Sequence, residues 1–99
     1  MNSTPLTLRE GAELHQLKVG EFSYEFADDG PSAFNVWPPT FDVAVRLPVY
    51  EGKPGTEATA WALGGLRETP SLTPSIALDG GRRGTKCHGY VTDGKWREV

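Results

Sequence analysis

The chain has 99 residues, a formal net charge of −3 and one cysteine. This length suits one domain, predicted over residues 1–99, and the single cysteine excludes an internal disulfide. Twelve glycines and eight prolines disfavour a helical bundle and indicate many turns. No secretory or membrane-spanning segment is recognisable, so we expect no membrane association and a location in the cytoplasm of the cell that expresses the protein.

The first thirty residues predict two strands separated by an ambiguous segment. Residues 6–9 fit a short strand with both leucines facing inward, and residues 21–26 alternate aromatic and polar side chains as a half-buried antiparallel strand does. Between them, residues 12–17 fit either one short helical turn near Glu13 or a further strand. Residues 28–31, Asp-Asp-Gly-Pro, are a strong turn signal.

The middle of the chain predicts three more strands and a loop. Residues 34–37 fit a short edge strand that is stopped by two prolines, and residues 41–47 alternate apolar and polar side chains up to Pro48. Residues 50–57 predict a mobile, exposed loop because they contain little that could pack. Residues 58–63 place a threonine, a tryptophan and a leucine on one strand face, opposite three alanines.

The last third of the chain begins with an extended segment over residues 69–76, because residues before proline avoid the helical region. Residues 76–78 can form a strand, and residues 79–84 predict a flexible basic loop. The last fourteen residues predict a β-hairpin around Asp93-Gly94, because a type I′ turn requires positive φ at both central positions.

The turn fixes the register of the predicted hairpin. Its pairs are Thr92 with Lys95, Val91 with Trp96, Tyr90 with Arg97, and Gly89 with Glu98. Alternation then directs Cys87 inward and His88 outward, and leaves an inward gap at Gly89 that suits the Trp96 ring. The elements together predict an all-β fold, a small and mostly antiparallel β-sandwich or partly open barrel of six to eight strands.

Charge is unevenly distributed along the chain. Residues 1–79 carry five basic and eleven acidic side chains, whereas residues 80–99 carry five basic and two acidic ones. This basic end fits a solvated hairpin edge whose Lys and Arg side chains discourage pairing with other strands. It also fits a surface for an acidic protein partner or, as an alternative, for nucleic acid through phosphate contact and base stacking. The candidate binding residues are Arg82, Arg83, Lys86, His88, Tyr90, Lys95 and Arg97.

Candidate chemistry is sparse. Ser71 or Ser75 with His88 and Asp79 could form a Ser-His-Asp hydrolase site, but a chain with two histidines offers such triples readily, and no nucleophile-elbow spacing is present. A metal site or an enzyme built on Cys87 and His88 is a further alternative, although adjacent strand residues point to opposite faces. No glycine-rich phosphate loop precedes a helix, and we expect neither cofactor nor enzymatic activity.

The order of motifs in the last forty residues carries a resemblance. The matching positions are Trp61, Gly64-Gly65, Pro70-Ser71-Leu72, Pro74-Ser75-Ile76, Cys87-His88, Tyr90-Val91 and Gly94. This pattern resembles an uncharacterised family of small proteins encoded by bacteriophages and prophages. The resemblance implies a non-enzymatic interaction protein that binds a protein partner as an accessory factor or a virion component.

The same resemblance bears on metal binding. Family members of this kind often carry a cysteine-rich element before the tryptophan, which implies a metal site completed by the Cys-His pair. This chain has no cysteine before Cys87, so no metal site is predicted here.

Overall fold

The structure, a computed structural model, describes residues 3–51 and 60–99 and consists almost entirely of β-strands. The strands are β1 (Ser3–Pro5), β2 (Thr7–Leu8), β3 (Glu21–Ala27), β4 (Gly30–Val36), β5 (Val45–Glu51), β6 (Trp61–Gly65), β7 (Pro70–Thr73), β8 (Ile76–Asp79), β9 (Lys86–Thr92) and β10 (Lys95–Glu98). A 3-10 turn at Leu14–Gln16 resolves the ambiguous segment in favour of the helical alternative. The prediction of an all-β fold with one short helical turn is confirmed. The described residues form ten strands instead of the predicted six to eight.

The strands form two sheets. One has four strands in the order β1-β10-β9-β8, and all of its pairs are antiparallel. The other has six strands in the order β2-β3-β4-β5-β6-β7 and curls into a half-barrel. Its β2–β3 and β5–β6 pairs are parallel, and its other pairs are antiparallel. The chain passes from the six-stranded to the four-stranded sheet through only two residues, Pro74 and Ser75.

The hydrophobic core joins the inward faces of both sheets. Phe22 and Phe34 from the six-stranded sheet are fully buried, and their rings stack at 5.2 Å between centroids. Ile76, Val91 and Trp96 from the four-stranded sheet belong to the same cluster and are at most 1% exposed. Burying a side chain of this size stabilises a fold by roughly 1.5–3 kcal/mol, so this cluster fixes how the sheets face each other.

The carboxy-terminal hairpin has the predicted register in all four pairs, from Thr92–Lys95 to Gly89–Glu98. Asp93 and Gly94 both have positive φ, as the predicted turn requires. Residues of β9 alternate between exposed and buried along the whole strand. The hairpin prediction is therefore confirmed down to the orientation of individual side chains.

Three strand predictions need correction, and the predicted loop at residues 50–57 falls largely outside the described residues. The segment predicted as an edge strand is interior, because β4 pairs with β3 on one side and β5 on the other. The strand predicted to stop at Pro48 begins later, at Val45, and continues through Pro48 to Glu51. The predicted strand at 21–26 keeps Phe22 buried, but a register shift after Glu25 leaves Phe26 55% exposed. The loop predicted at 50–57 begins inside β5, and its residues 52–57 lie outside the described part of the chain.

The Gly89 position offers a direct test of the hairpin packing. A methyl group there would lie 2.6 Å from Cζ2 of Trp96 and 2.7 Å from the Arg97 carbonyl oxygen. We expect Gly89→Ala to lower the free energy of unfolding by about 1–3 kcal/mol, the usual cost of overpacking.

The matched control is Gly64→Ala, because nothing lies within 4 Å of a methyl group at that exposed glycine. Its free energy of unfolding, measured from a urea unfolding curve, should differ from that of the unsubstituted protein by no more than about 0.5 kcal/mol. Equal unfolding midpoints for the two variants would contradict the close approach of Gly89 to the Trp96 ring.

Candidate active site

A serine and a histidine meet on the outer face of the four-stranded sheet. Ser75 immediately precedes β8, and His88 lies on β9 directly opposite Ala77. Ser75 and Ala77 are two residues apart, so their side chains share the face on which His88 is exposed. Nε2 of His88 lies 2.9 Å from Oγ of Ser75.

The position of Ser75 is fixed from both sides. Its carbonyl oxygen accepts a hydrogen bond of 3.3 Å from the indole Nε1 of Trp61 at the start of β6. The next residue, Ile76, is fully buried in the core. The serine backbone is therefore held between the two sheets, while its hydroxyl faces the imidazole.

This arrangement supplies a nucleophile and a base. In the tautomer whose Nε2 is unprotonated, the imidazole can accept the Ser75 hydroxyl proton as the oxygen attacks an electrophile. The separation of 2.9 Å lies within the range required for such proton transfer. His88 is exposed and Ser75 is half-buried, so a substrate can approach the pair from solvent.

The third member of the predicted Ser-His-Asp triple does not join the pair. Asp79 lies on the same outer face, but its carboxylate pairs with Lys86, with 4.0 Å between Oδ2 and Nζ. Within residues 3–51 and 60–99, no carboxylate forms an ion pair with His88. The described geometry is thus a serine-histidine dyad, and the nearby Asp79 pairs with Lys86 instead of His88.

The second candidate serine has a structural role instead. Oγ of Ser71 accepts a hydrogen bond of 3.0 Å from the backbone N–H of Asp93. The neighbouring Gly94 N–H donates to the carbonyl oxygen of Pro70 at 2.8 Å. Ser71 therefore holds the hairpin turn against β7 and lies away from the imidazole that Ser75 contacts.

Cys87 does not cooperate with His88. Its side chain is buried on the inward face of β9, whereas the imidazole of His88 lies on the outward face. Burial and the negative charge of Glu98 raise the pKa of the Cys87 thiol to about 11, despite a hydrogen bond with Thr40 that lowers it. The thiol is therefore protonated near neutral pH and is a poor nucleophile.

The seven residues predicted as a binding surface divide into two groups. Lys86, His88 and Tyr90 lie on the outer face of β9, and Lys95 and Arg97 lie on the adjoining face of β10. The other two, Arg82 and Arg83, belong to the loop between β8 and β9. The binding role of this set stays a prediction, except that His88 is the partner of Ser75.

That loop is anchored by an acidic residue that the sequence did not single out. The Asp42 carboxylate accepts hydrogen bonds from the backbone N–H groups of Arg82 and Arg83, at 3.1 and 3.2 Å. It also accepts one from the Thr85 hydroxyl at 2.8 Å. Burial alone would raise the pKa of Asp42, but these hydrogen bonds outweigh it and lower the pKa below the ordinary 3.8.

A shallow cleft of about 510 Å³ is lined by His88 together with Ala77, Asp79 and Lys86, but not by Ser75. In the described part of the chain, no group of three or more His, Cys, Asp or Glu side chains could hold a metal ion. Likewise, none of its helices is long and apolar enough to cross a membrane.

A serine-histidine pair of this kind is the central feature of serine hydrolases. The sequence agrees with this class, because a family model described as "Bacterial ubiquitination-like system serine protease (BubE)" matches residues 14–99. The chain belongs to the BubE family. Searches of curated proteins and of solved structures gave no match.

The family match corrects the functional expectations drawn from the sequence. The resemblance to a phage or prophage family is wrong, as are the viral role and the expectation of a non-enzymatic protein, because the family is one of serine proteases. Membership in a ubiquitination-like system indicates protein partners and gives no support to a nucleic-acid-binding function. The residues behind the mistaken resemblance include Trp61, Ser75 and His88, which form the dyad and its anchor.

The state of the Cys87 thiol can be measured by alkylation. With a pKa of about 11 instead of 9.0, we expect iodoacetamide at pH 8 to react about a hundredfold more slowly than with an ordinary thiol. Unfolding in urea should restore the ordinary rate, as followed by intact mass. Rapid alkylation of the folded protein would contradict a buried, protonated thiol.

The Asp42 anchor predicts a dependence of stability on pH. A carboxyl whose pKa is lowered on folding stabilises the fold above its unfolded value of 3.8, and this contribution is lost as pH falls through the folded value. We therefore expect Asp42→Asn to lower the urea unfolding midpoint at pH 7, and to lower it less at about pH 3.

The control for this experiment is Asp29→Asn, in the exposed turn between β3 and β4. It should leave the midpoint nearly unchanged at both pH values. A loss in Asp42→Asn that is the same at both pH values would show that its carboxylate charge contributes nothing.

Proposed function

We propose that this protein is a serine protease of a ubiquitination-like system, with Ser75 as nucleophile and His88 as general base. The observation that carries the proposal is the 2.9 Å approach of His88 Nε2 to Ser75 Oγ. Its support from sequence is the family match over residues 14–99.

The proposed reaction proceeds in two steps. The Ser75 oxygen attacks the carbonyl carbon of the scissile bond while His88 takes the hydroxyl proton. His88 then gives this proton to the leaving group, the carbon–leaving-group bond breaks, and an acyl-enzyme remains. In the second step a water molecule gives a proton to His88 and attacks the ester, and the serine hydroxyl is restored as the acid product leaves.

The substrate we propose is the ubiquitin-like protein of the same system, cleaved at the bond between its terminal carbonyl carbon and the group attached there. The dyad lies on an exposed sheet face, and its histidine, though not its serine, lines a shallow cleft. Such a site suits an extended segment of a protein. The basic side chains Lys86, Lys95 and Arg97 on the outer faces of β9 and β10 then serve as contacts for the folded part of that partner.

The dyad is tested by substitution of each of its two residues. Ser75→Ala should lower cleavage of the ubiquitin-like protein, fused at its carboxyl end to a reporter, by about a thousandfold or more. It should also abolish covalent labelling by a fluorophosphonate probe, measured by intact mass. His88→Gln should reduce both rates strongly, because the base is lost while the size of the side chain is roughly kept.

Ser71→Ala is the matched control, since Ser71 bonds to the hairpin turn and not to His88. It should keep labelling at residue 75 and keep most of the cleavage activity. Labelling that persists in Ser75→Ala and disappears in Ser71→Ala would overturn the assignment of the nucleophile.

A further inference from the structure

We infer that the outer edge of β8 binds the extended segment of the protein substrate as an additional β-strand. This inference rests on the proposed protease function and adds how the scissile segment is held. Its basis is the position of Ser75, which immediately precedes the edge strand Ile76–Asp79. A segment paired with β8 reaches Ser75 at one end of the strand, where the Trp61 indole N–H already binds the Ser75 carbonyl oxygen.

The edge of β8 is available in the described structure. Within residues 3–51 and 60–99, β8 pairs only with β9 and forms one end of the four-stranded sheet. The backbone groups that point towards the edge follow from the ladder. The Val99 N–H donates a hydrogen bond to the His88 carbonyl oxygen, so the backbone N–H and C=O groups of His88 point towards β10. The backbone groups of its neighbours Cys87 and Gly89 therefore point towards β8.

The partners of these two residues complete the assignment. Leu78 lies opposite Cys87 and Ile76 lies opposite Gly89, so Leu78 and Ile76 form the hydrogen-bonded pairs with β9. The N–H and C=O groups of Ala77 and Asp79 consequently point away from β9. They offer two donors and two acceptors to an added strand, the usual basis of peptide recognition by strand addition.

The two edge strands of this sheet differ in how well they are protected against pairing with another strand. The opposite edge strand, β1, has only three residues and ends in a proline, which are devices that discourage pairing with another strand. The β8 strand contains neither proline nor lysine, and its pairing with β9 is regular throughout. Its outward side chain Ala77 is small and exposed, so it leaves room for a substrate beside the dyad.

Proline substitution tests this inference, because a proline removes one N–H from the edge without removing a bond to β9. We expect Ala77→Pro and Asp79→Pro each to lower kcat/KM by about tenfold or more. The substrate is a fluorogenic peptide that contains the carboxyl-terminal segment of the system's ubiquitin-like protein. Labelling of Ser75 by the small fluorophosphonate probe should stay near the rate of the unsubstituted protein.

The matched controls are Ala77→Ser and Asp79→Asn, which keep the backbone N–H groups, and each should lower kcat/KM much less than proline does at the same position. Asp79→Pro distinguishes strand binding from a role of the Ala77 N–H beside the reacting carbonyl, because Asp79 is four residues from Ser75. If Ala77→Pro does not fold, the same peptide with N-methyl groups at alternate positions gives the equivalent comparison with the unsubstituted protein.

The outcomes separate this inference from the proposed function. Normal labelling with peptide cleavage lost only in the proline variants supports strand addition. Full cleavage by both proline variants, or equal cleavage of every N-methylated peptide, overturns strand addition and leaves the protease function standing. An unsubstituted protein that neither labels nor cleaves overturns both.

Discussion

The short contact between the Ser75 hydroxyl and the His88 imidazole depends on strand register. Side chains alternate along β9, so a slip of one residue would direct Cys87 outward and His88 into the core. Three features prevent that slip: the burial of Val91 and Trp96, the close approach of Gly89 to the Trp96 ring, and the anchoring of the hairpin turn on β7. The packing of the hairpin and the alignment of the dyad are therefore one constraint.

The position of Ser75 depends equally on the short connection between the two sheets. With only Pro74 and Ser75 connecting β7 to β8, the chain has little freedom at the nucleophile. The Trp61 indole on the six-stranded sheet holds the serine carbonyl, and Ile76 is buried among core residues of both sheets. Asp42 adds a second connection, because it precedes β5 and holds the loop that joins β8 to β9.

Local signals predicted the fold better than they predicted the site. The Asp-Gly turn and the alternation around it are contained in fourteen residues, so the hairpin register could be assigned without long-range information. The interior place of β4 depends on pairing with β5, which no local pattern reveals. The sequence offers Ser75 and His88 as members of a possible triple, but sequence spacing gives no distance between them. The pairing of β8 with β9 supplies that distance, and the anchors Trp61 and Asp42 come from residues 14 and about 40 positions away.

The hydrogen bond between Trp61 and Ser75 has a consequence for the partly folded protein. Pairing of β8 with β9 brings the two reacting groups near each other, but docking of the second sheet holds the nucleophile still. In a newly made chain whose two sheets have not yet packed together, the Ser75 hydroxyl and the His88 imidazole would have no fixed relative position. The proposed activity would then require the packing of the two sheets against each other as well as the pairing of β8 with β9.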